Sequence, residues 1–148
     1  QRQMCIRDST GYSVRKYHPR AGYSSTVGTE ALNYKNNYRV IRFSDILLMA
    51  SEALLRSGGS VGEAQDYYAR VVKRAMGDDY KVPTVSLDNI YKERRYEFAM
   101  EGIRYWDLVR TNQAKDFIKG WDDTKKYLPI PQSEIDKSDG HLVQNPHF

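Results

Sequence analysis

A chain of 148 residues fits one domain, which at that size buries about two thirds of its unfolded surface and needs no staple for stability. Its 23 basic and 19 acidic residues leave a net charge of +4 and are mixed along the sequence, which excludes the basic stripe of a nucleic-acid binder. The lone Cys5 excludes an internal disulfide framework and a cysteine-built zinc site, and no apolar run approaches the roughly 18 residues of a membrane span.

Residues 1–37 are rich in Gly, Ser, Thr, Asn and Tyr without a helical period and read as a loop-rich segment. About the first ten read as a cloning or assembly scar, since no signal-peptide core precedes Cys5. Tyr12, Tyr17, Tyr23, Tyr34 and Tyr38 either close the edge of a core or line a groove, and the first reading is preferred. The organisation read from the chain is therefore 1–37 as loops and 38–148 as a helical region.

From Tyr38 the pattern turns helical. Ile41, Ile46, Leu47, Met49, Ala50, Ala53 and Leu54 recur at three-and-four spacing, which predicts an amphipathic or largely buried helix stopped by Gly58-Gly59. Ser60 and Glu63 form a capping box, after which Val61, Ala64, Tyr67, Tyr68, Val71, Val72 and Ala75 carry a second helix to about Met76. The pair from Arg42 to Ala75 is an antiparallel hairpin of tetratricopeptide size, about 34 residues, in a single copy. Gly77 to Pro83 reads as a loop, and Ser86 caps a third helix that runs on through a charged block, dented or bent at Gly102. A shorter amphipathic stretch follows at Ala114, Phe117 and Ile118. Then come Gly120, the Pro129/Pro131 pair and a polar tail in which regular helix is not expected. The fold class predicted is mainly α: a tetratricopeptide-like hairpin, a further helix and long loops.

The charged block, Tyr91 to Arg110, reads YKERRYEFAMEGIRYWDLVR. Glu93, Glu97 and Glu101 fall on one helical line, a like-charge arrangement that costs a few tenths of a kcal/mol per pair unless bases stand beside it. Arg94, Arg104 and Arg110 supply them, each three residues from an acid among Glu97, Glu101 and Asp107. Ile90, Phe98, Ile103, Trp106, Leu108 and Val109 add apolar surface, so the seven residues Glu93, Arg94, Glu97, Glu101, Arg104, Asp107 and Arg110 are expected to form a structural ion-pair network held partly out of water. Replacing Glu101 or Arg104 by Ala is then expected to destabilise the fold. The same carboxylates invite a glycoside-hydrolase reading, but an arginine within a turn of each depresses its pKa and spoils it as a general acid.

No other catalytic constellation is visible. His18, His141 and His147 are far apart without metal-ligand spacing, and neither a nucleophile elbow nor a phosphate loop is present, so no catalytic residue, metal or cofactor is predicted. Trp106, beside Leu108 and Val109, is read as core. Trp121 stands in the polar loop Gly120-Trp121-Asp122-Asp123 and is the weak candidate for ligand contact, its ring offering a stacking face for a sugar or a partner.

Three stretches, in order, resemble the SusD/RagB family. The charged block is similar to the family's ERR-x-E-[LF]-x-x-EG-x-R-[YW]-x-DL-x-R signature through Glu93, Arg94, Arg95, Glu97, Phe98, Glu101, Gly102, Arg104, Tyr105, Trp106, Asp107, Leu108 and Arg110. Upstream, Arg42, Phe43, Asp45, Leu47, Leu48, Ser51, Glu52, Ala53 and Leu54 match its R-[YF]-x-[DE]-[LI]-L-L-x-x-[AS]-E-A-L helix. Downstream, Leu128-Pro129-Ile130-Pro131, Glu134-Ile135 and Gln144-Asn145-Pro146 are similar to its closing PIP-x-x-E-I and QNP. The resemblance implies the C-terminal part of a non-catalytic, lipid-anchored protein on the outer membrane of Bacteroidetes. Such a protein binds glycan or another nutrient for a SusC-like TonB-dependent transporter, with no nucleic-acid partner, and this part serves mainly as scaffold. The alternative left open is a tetratricopeptide-type protein-interaction module.

Overall fold

The computed structural model describes residues 38–146 and 148. Cys5, His18, Tyr12, Tyr17, Tyr23, Tyr34, the whole 1–37 segment and His147 lie outside the described residues. Among the described residues six helices follow in order: α1 (Phe43–Ser57), α2 (Val61–Met76), α3 (Leu87–Glu97), α4 (Arg104–Arg110), α5 (Ala114–Phe117) and α6 (Gln132–Lys137), with a 3₁₀ turn at Asp123–Lys126. No strand occurs among the described residues. They fall into two compact units, one ending at Met100 and one beginning at Glu101.

In the first unit α1 packs on both α2 and α3. Gly58, at φ +71°, ends α1 in the left-handed conformation that favours glycine, and the Gly59 N–H returns to the Leu54 carbonyl at 2.8 Å. Ser60 Oγ then accepts from the Glu63 N–H at 3.2 Å to start α2, and Ser86 Oγ accepts from the Asn89 N–H at 3.2 Å to start α3. Gln65 pins the intervening loop: its Oε1 accepts from the Val85 N–H at 2.6 Å and its Nε2 donates to the Pro83 carbonyl at 3.2 Å.

The buried face of α1 differs from the one its apolar spacing predicts. Leu47, Leu48, Ser51 and Glu52 are buried, whereas Ile46 and Met49 are 45% and 42% exposed and Ala53 is also exposed. Two polar residues on the inner face concealed it. Ser51 enters the core because its hydroxyl donates to the Ala64 carbonyl at 2.7 Å across the α1–α2 contact, which satisfies the buried group. Ala64, itself fully buried, keeps that crossing close.

The charged block is not one helix. α3 ends at Glu97, the Phe98 N–H returns to the Arg94 carbonyl, and Met100 and Gly102 take φ values of +66° and +81° before α4 starts at Arg104. A glycine permits that conformation where a helix would forbid it.

In the second unit the tail contains a helix that sequence reasoning did not expect. Pro131 stands at the N-cap of α6, where its missing N–H costs nothing. After α6 the chain reverses through Asp139 and Gly140, at φ +50° and +82°. Gln144 thereby reaches Ile130, donating from Nε2 to its carbonyl at 2.9 Å and accepting its N–H on Oε1 at 2.8 Å. Ile130 sits between two prolines, so its N–H is the one backbone donor of that triplet, and one amide side chain satisfies both of its polar groups. Asn145 Nδ2 adds a bond to the Leu128 carbonyl at 2.6 Å.

Two predictions follow from this packing. Leu48→Ala should lower stability by about 2–5 kcal/mol, while Ile46→Ala should stay within about 0.5 kcal/mol, as read from denaturant midpoints. Gln144→Ala should cost about 1–2 kcal/mol and accelerate hydrogen exchange at the Ile130 amide while leaving helix content unchanged.

Candidate functional site

The first cluster to consider joins the N-terminus of α1 to the C-terminus of α3. Arg42 and Asp45 stand three residues apart on one side of the contact, Arg94 and Glu97 three apart on the other, and the charges pair crosswise. Arg42 Nη1 donates to Glu97 Oε1 at 2.7 Å and its Nη2 to the Glu97 carbonyl at 3.0 Å, while Arg94 Nη1 donates to Asp45 Oδ1 at 2.6 Å. Arg74 of α2 takes the second carboxylate oxygen of Glu97 at 2.5 Å. One carboxylate therefore ties three helices. Phe98, buried just beyond, receives the Arg42 and Arg94 guanidinium groups 4.8 and 5.1 Å from its ring centroid. Further along α1 the buried Glu52 accepts from Arg56 Nε at 2.9 Å and from the Tyr91 hydroxyl at 3.2 Å, and Arg56 Nη2 donates to that same hydroxyl at 2.6 Å.

The acids of this cluster differ in environment. Burial opposes the charge on Glu97, but the Arg42 hydrogen bond, the Ser44 hydroxyl nearby and the charges of Arg74 and Arg42 outweigh it, so its carboxyl lies below the ordinary range. For Glu93, half-buried, burial and then the charge of Glu97 push the carboxyl up, and Arg74 offsets this only in part. Of the seven residues predicted as a network, Arg94 and Glu97 make ion pairs across helices. Arg110 Nε donates to Asp107 Oδ1 at 2.9 Å within α4, as its spacing suggests. The Arg104 guanidinium lies 5.1 Å from the Phe117 ring centroid, and Glu101 is half-buried.

The second cluster lies in the second unit around Trp121. Tyr105 on α4 meets Trp106 edge-on with ring centroids 5.1 Å apart and Trp121 at 6.1 Å, and its hydroxyl donates to the Lys125 carbonyl. Trp106 is 50% exposed, which corrects the expectation that it is core: α4 turns Asp107 and Leu108 inward and leaves the indole against Tyr105. Trp121 is half-buried, and its Nε1 donates to Asp123 Oδ1 at 3.1 Å, which fixes the ring. That bond, with the hydrogen bond and charge of Lys126, holds the Asp123 carboxyl below its usual value. Asn112, Lys115, Trp121, Asp123 and Lys126 line a cavity of about 330 Å³, with Val109 and Ala114 as its apolar wall. An aromatic face beside an ionised acceptor, an amide and two ammonium donors suits a polyhydroxylated ligand better than an apolar one. Asp123 is the one carboxylate among these lining residues, and hydrolysis of a glycosidic bond calls for two.

Among the described residues the regular structure is helical throughout, with charged residues joining the helices of the first unit and a small polar-aromatic cavity in the second. The chain belongs to the SusD family, whose family model matches residues 3–121. Among solved structures it is similar to surface glycan-binding protein A from Bacteroides thetaiotaomicron, at 44% identity and a TM-score of 0.67 over 80% of this chain and 26% of that one. It is also similar to a SusD-like protein from Bacteroides fragilis, at 26% identity and a TM-score of 0.59 over 76% of this chain and 26% of that one. SusD-like protein P2 of Formosa agariphila is 25% identical over 91% of this chain. The chain spans 30% of that relative's length, so it corresponds to a minor part of each protein it matches.

The buried Glu97 and the half-buried Glu93 set up opposite responses to acid. Glu97, with its pKa depressed on folding, contributes stability that is present above the unfolded value of about 4.3 and is lost as pH falls through its folded value. Glu93, with its pKa raised, costs stability once pH exceeds the unfolded value. Thermal melts should therefore show Glu97→Gln destabilised at pH 7, by roughly 3 kcal/mol because Arg74 is 61% exposed and partly screened. Glu93→Gln should be unchanged or more stable at that pH, and the loss in Glu97→Gln should shrink as pH drops below 4.

Proposed function

We propose that this chain is the C-terminal part of a non-catalytic, glycan-binding lipoprotein of the outer membrane that delivers its ligand to a SusC-like TonB-dependent transporter. The observation that carries this reading is the 44% identity, with shared fold, to a protein described as a surface glycan-binding protein. Family membership supports the same class of function and the same location. No helix among the described residues is long and apolar enough to cross a membrane; attachment in this reading is by a lipid on the full-length protein.

Within the chain, the α1–α3 ion pairs act as scaffold and the Trp121 cavity is the candidate sugar contact. The indole face would stack on the C–H face of a pyranose, Asp123 would accept from hydroxyls, and Asn112 and Lys126 would donate to ring or hydroxyl oxygens. The tetratricopeptide-type interaction module rests on the α1–α2 hairpin alone, and family membership favours the surface lipoprotein over it.

Glycan arrays followed by titration calorimetry test this reading on the full-length protein. A bound oligosaccharide should lose about fivefold or more in affinity in Trp121→Ala, the loss of one stacked aromatic being worth about 1 kcal/mol or more, with the melting temperature little changed. Oligosaccharide binding that ignores Trp121 would leave this cavity without its assigned role. Absence of any glycan binding, with no co-purification of a TonB-dependent transporter, would overturn the wider reading.

A further inference from the structure

A second cavity, of about 350 Å³, opens in the first unit where the start of α1 meets α2, lined by Arg42, Phe43, Ser44, Arg70 and Arg74 over a floor of Leu47 and Val71. We propose that it binds an oxyanion, a sulfate or carboxylate group, read by Arg70 at the N-terminus of α1. Three guanidinium groups line the cavity. Glu97 is shared between Arg42 and Arg74, and the charge of Glu93 also acts on Arg74; Asp66 stands one turn before Arg70 on α2 but does not line the cavity, so a positive excess remains among the lining residues.

Arg70 carries most of that excess. It lies in no ion pair among the described residues, and its guanidinium is set against the Phe43 ring at 5.3 Å from the centroid, which orients the planar fork without using its donors. Arg70 and Arg74 stand one turn apart on the same face of α2, a like-charge pair that costs stability and that an anion between them would relieve. The helix end points to the same ligand. No side chain caps the N-terminus of the 15-residue α1, whose dipole is met in part by Asp45 in the first turn, itself paired with Arg94, so the helix end assists the arginines. The exposed Phe43 ring beside the arginines leaves room for the anion to be borne on a larger molecule, such as a sulfated or uronic-acid sugar.

Calorimetry on the full chain with inorganic sulfate, a sulfated oligosaccharide and its desulfated parent tests the assignment, at ionic strength held constant with chloride. Sulfate should bind, and Arg70→Gln should weaken it about tenfold, the loss of one charge-assisted contact. Arg95→Gln, which removes an exposed charge that does not line the cavity, should leave it unchanged. Arg70→Lys, which keeps the charge and tests the fork should Arg70→Gln not fold, should give an intermediate loss. Binding of the sulfated oligosaccharide without binding of or competition by inorganic sulfate, still sensitive to Arg70, supports the site with a sugar-borne anion; the reverse supports it with a free anion. Binding unaffected by Arg70→Gln, or no binding by either sulfated probe, overturns it. Binding of the desulfated parent should not respond to Arg70, which keeps this result separate from the Trp121 reading.

Discussion

The first unit depends on a single carboxylate. Glu97 is buried at the end of α3 and is held by Arg42 from the start of α1 and Arg74 from the end of α2, so three helix termini converge on one charge. Helix termini are where backbone groups lack partners, and here side-chain charges complement them: Asp45 lies in the first turn of α1, and Arg94 and Arg74 lie in the last turns of α3 and α2. Such an arrangement is directional in a way that apolar packing is not. A leucine in place of Glu97 could fill volume, but would remove the carboxylate that Arg42 and Arg74 share.

The polar residues on the inner face of α1 follow the same logic. Ser51 and Glu52 lie between Leu48 and Leu55 where an ordinary core would have apolar side chains, and each is matched by a partner on another helix, the Ala64 carbonyl and the Tyr91 hydroxyl. A fully satisfied polar contact costs little once made but is costly in any other register, because sliding α1 by one turn would bury both groups unpaired. The hairpin and α3 are thus specified by their hydrogen bonds as much as by the area they bury. In the second unit Gln144 performs a comparable task for irregular backbone, completing the bonds of Ile130 where two prolines prevent a strand or helix from doing so.

The family motifs gain a physical meaning from these contacts. The Arg-x-x-Asp at the start of α1 and the Arg-x-x-Glu at the end of α3 are two halves of one crosswise pair of ion pairs, and the proline-flanked isoleucine and the later Gln-Asn are two halves of one turn closure. Residues far apart in the chain therefore form single structural units. They hold the scaffold, and the two ligand contacts proposed above fall on side chains outside these pairs: Trp121 with Asp123 in one unit, and Arg70 with Phe43 in the other.

Local sequence determined α1, α2 and the start of α3, because capping by Ser60 and Ser86, termination at Gly58 and the three-and-four spacing of apolar residues act within a few positions of the chain. Tertiary structure alone decided the rest. The buried face of α1 was hidden because Ser51 and Glu52 count as polar until their partners on α2 and α3 are known. The break after Glu97 followed from contacts at the end of α3 and positive φ at Met100 and Gly102, which the helical spacing of the charges concealed. Pairing of Glu97 with Arg42 and Arg74 was invisible because local spacing ranks bases within one turn, whereas the partners that matter lie 55 and 23 residues away, brought within hydrogen-bond reach only by the packing of the hairpin against α3.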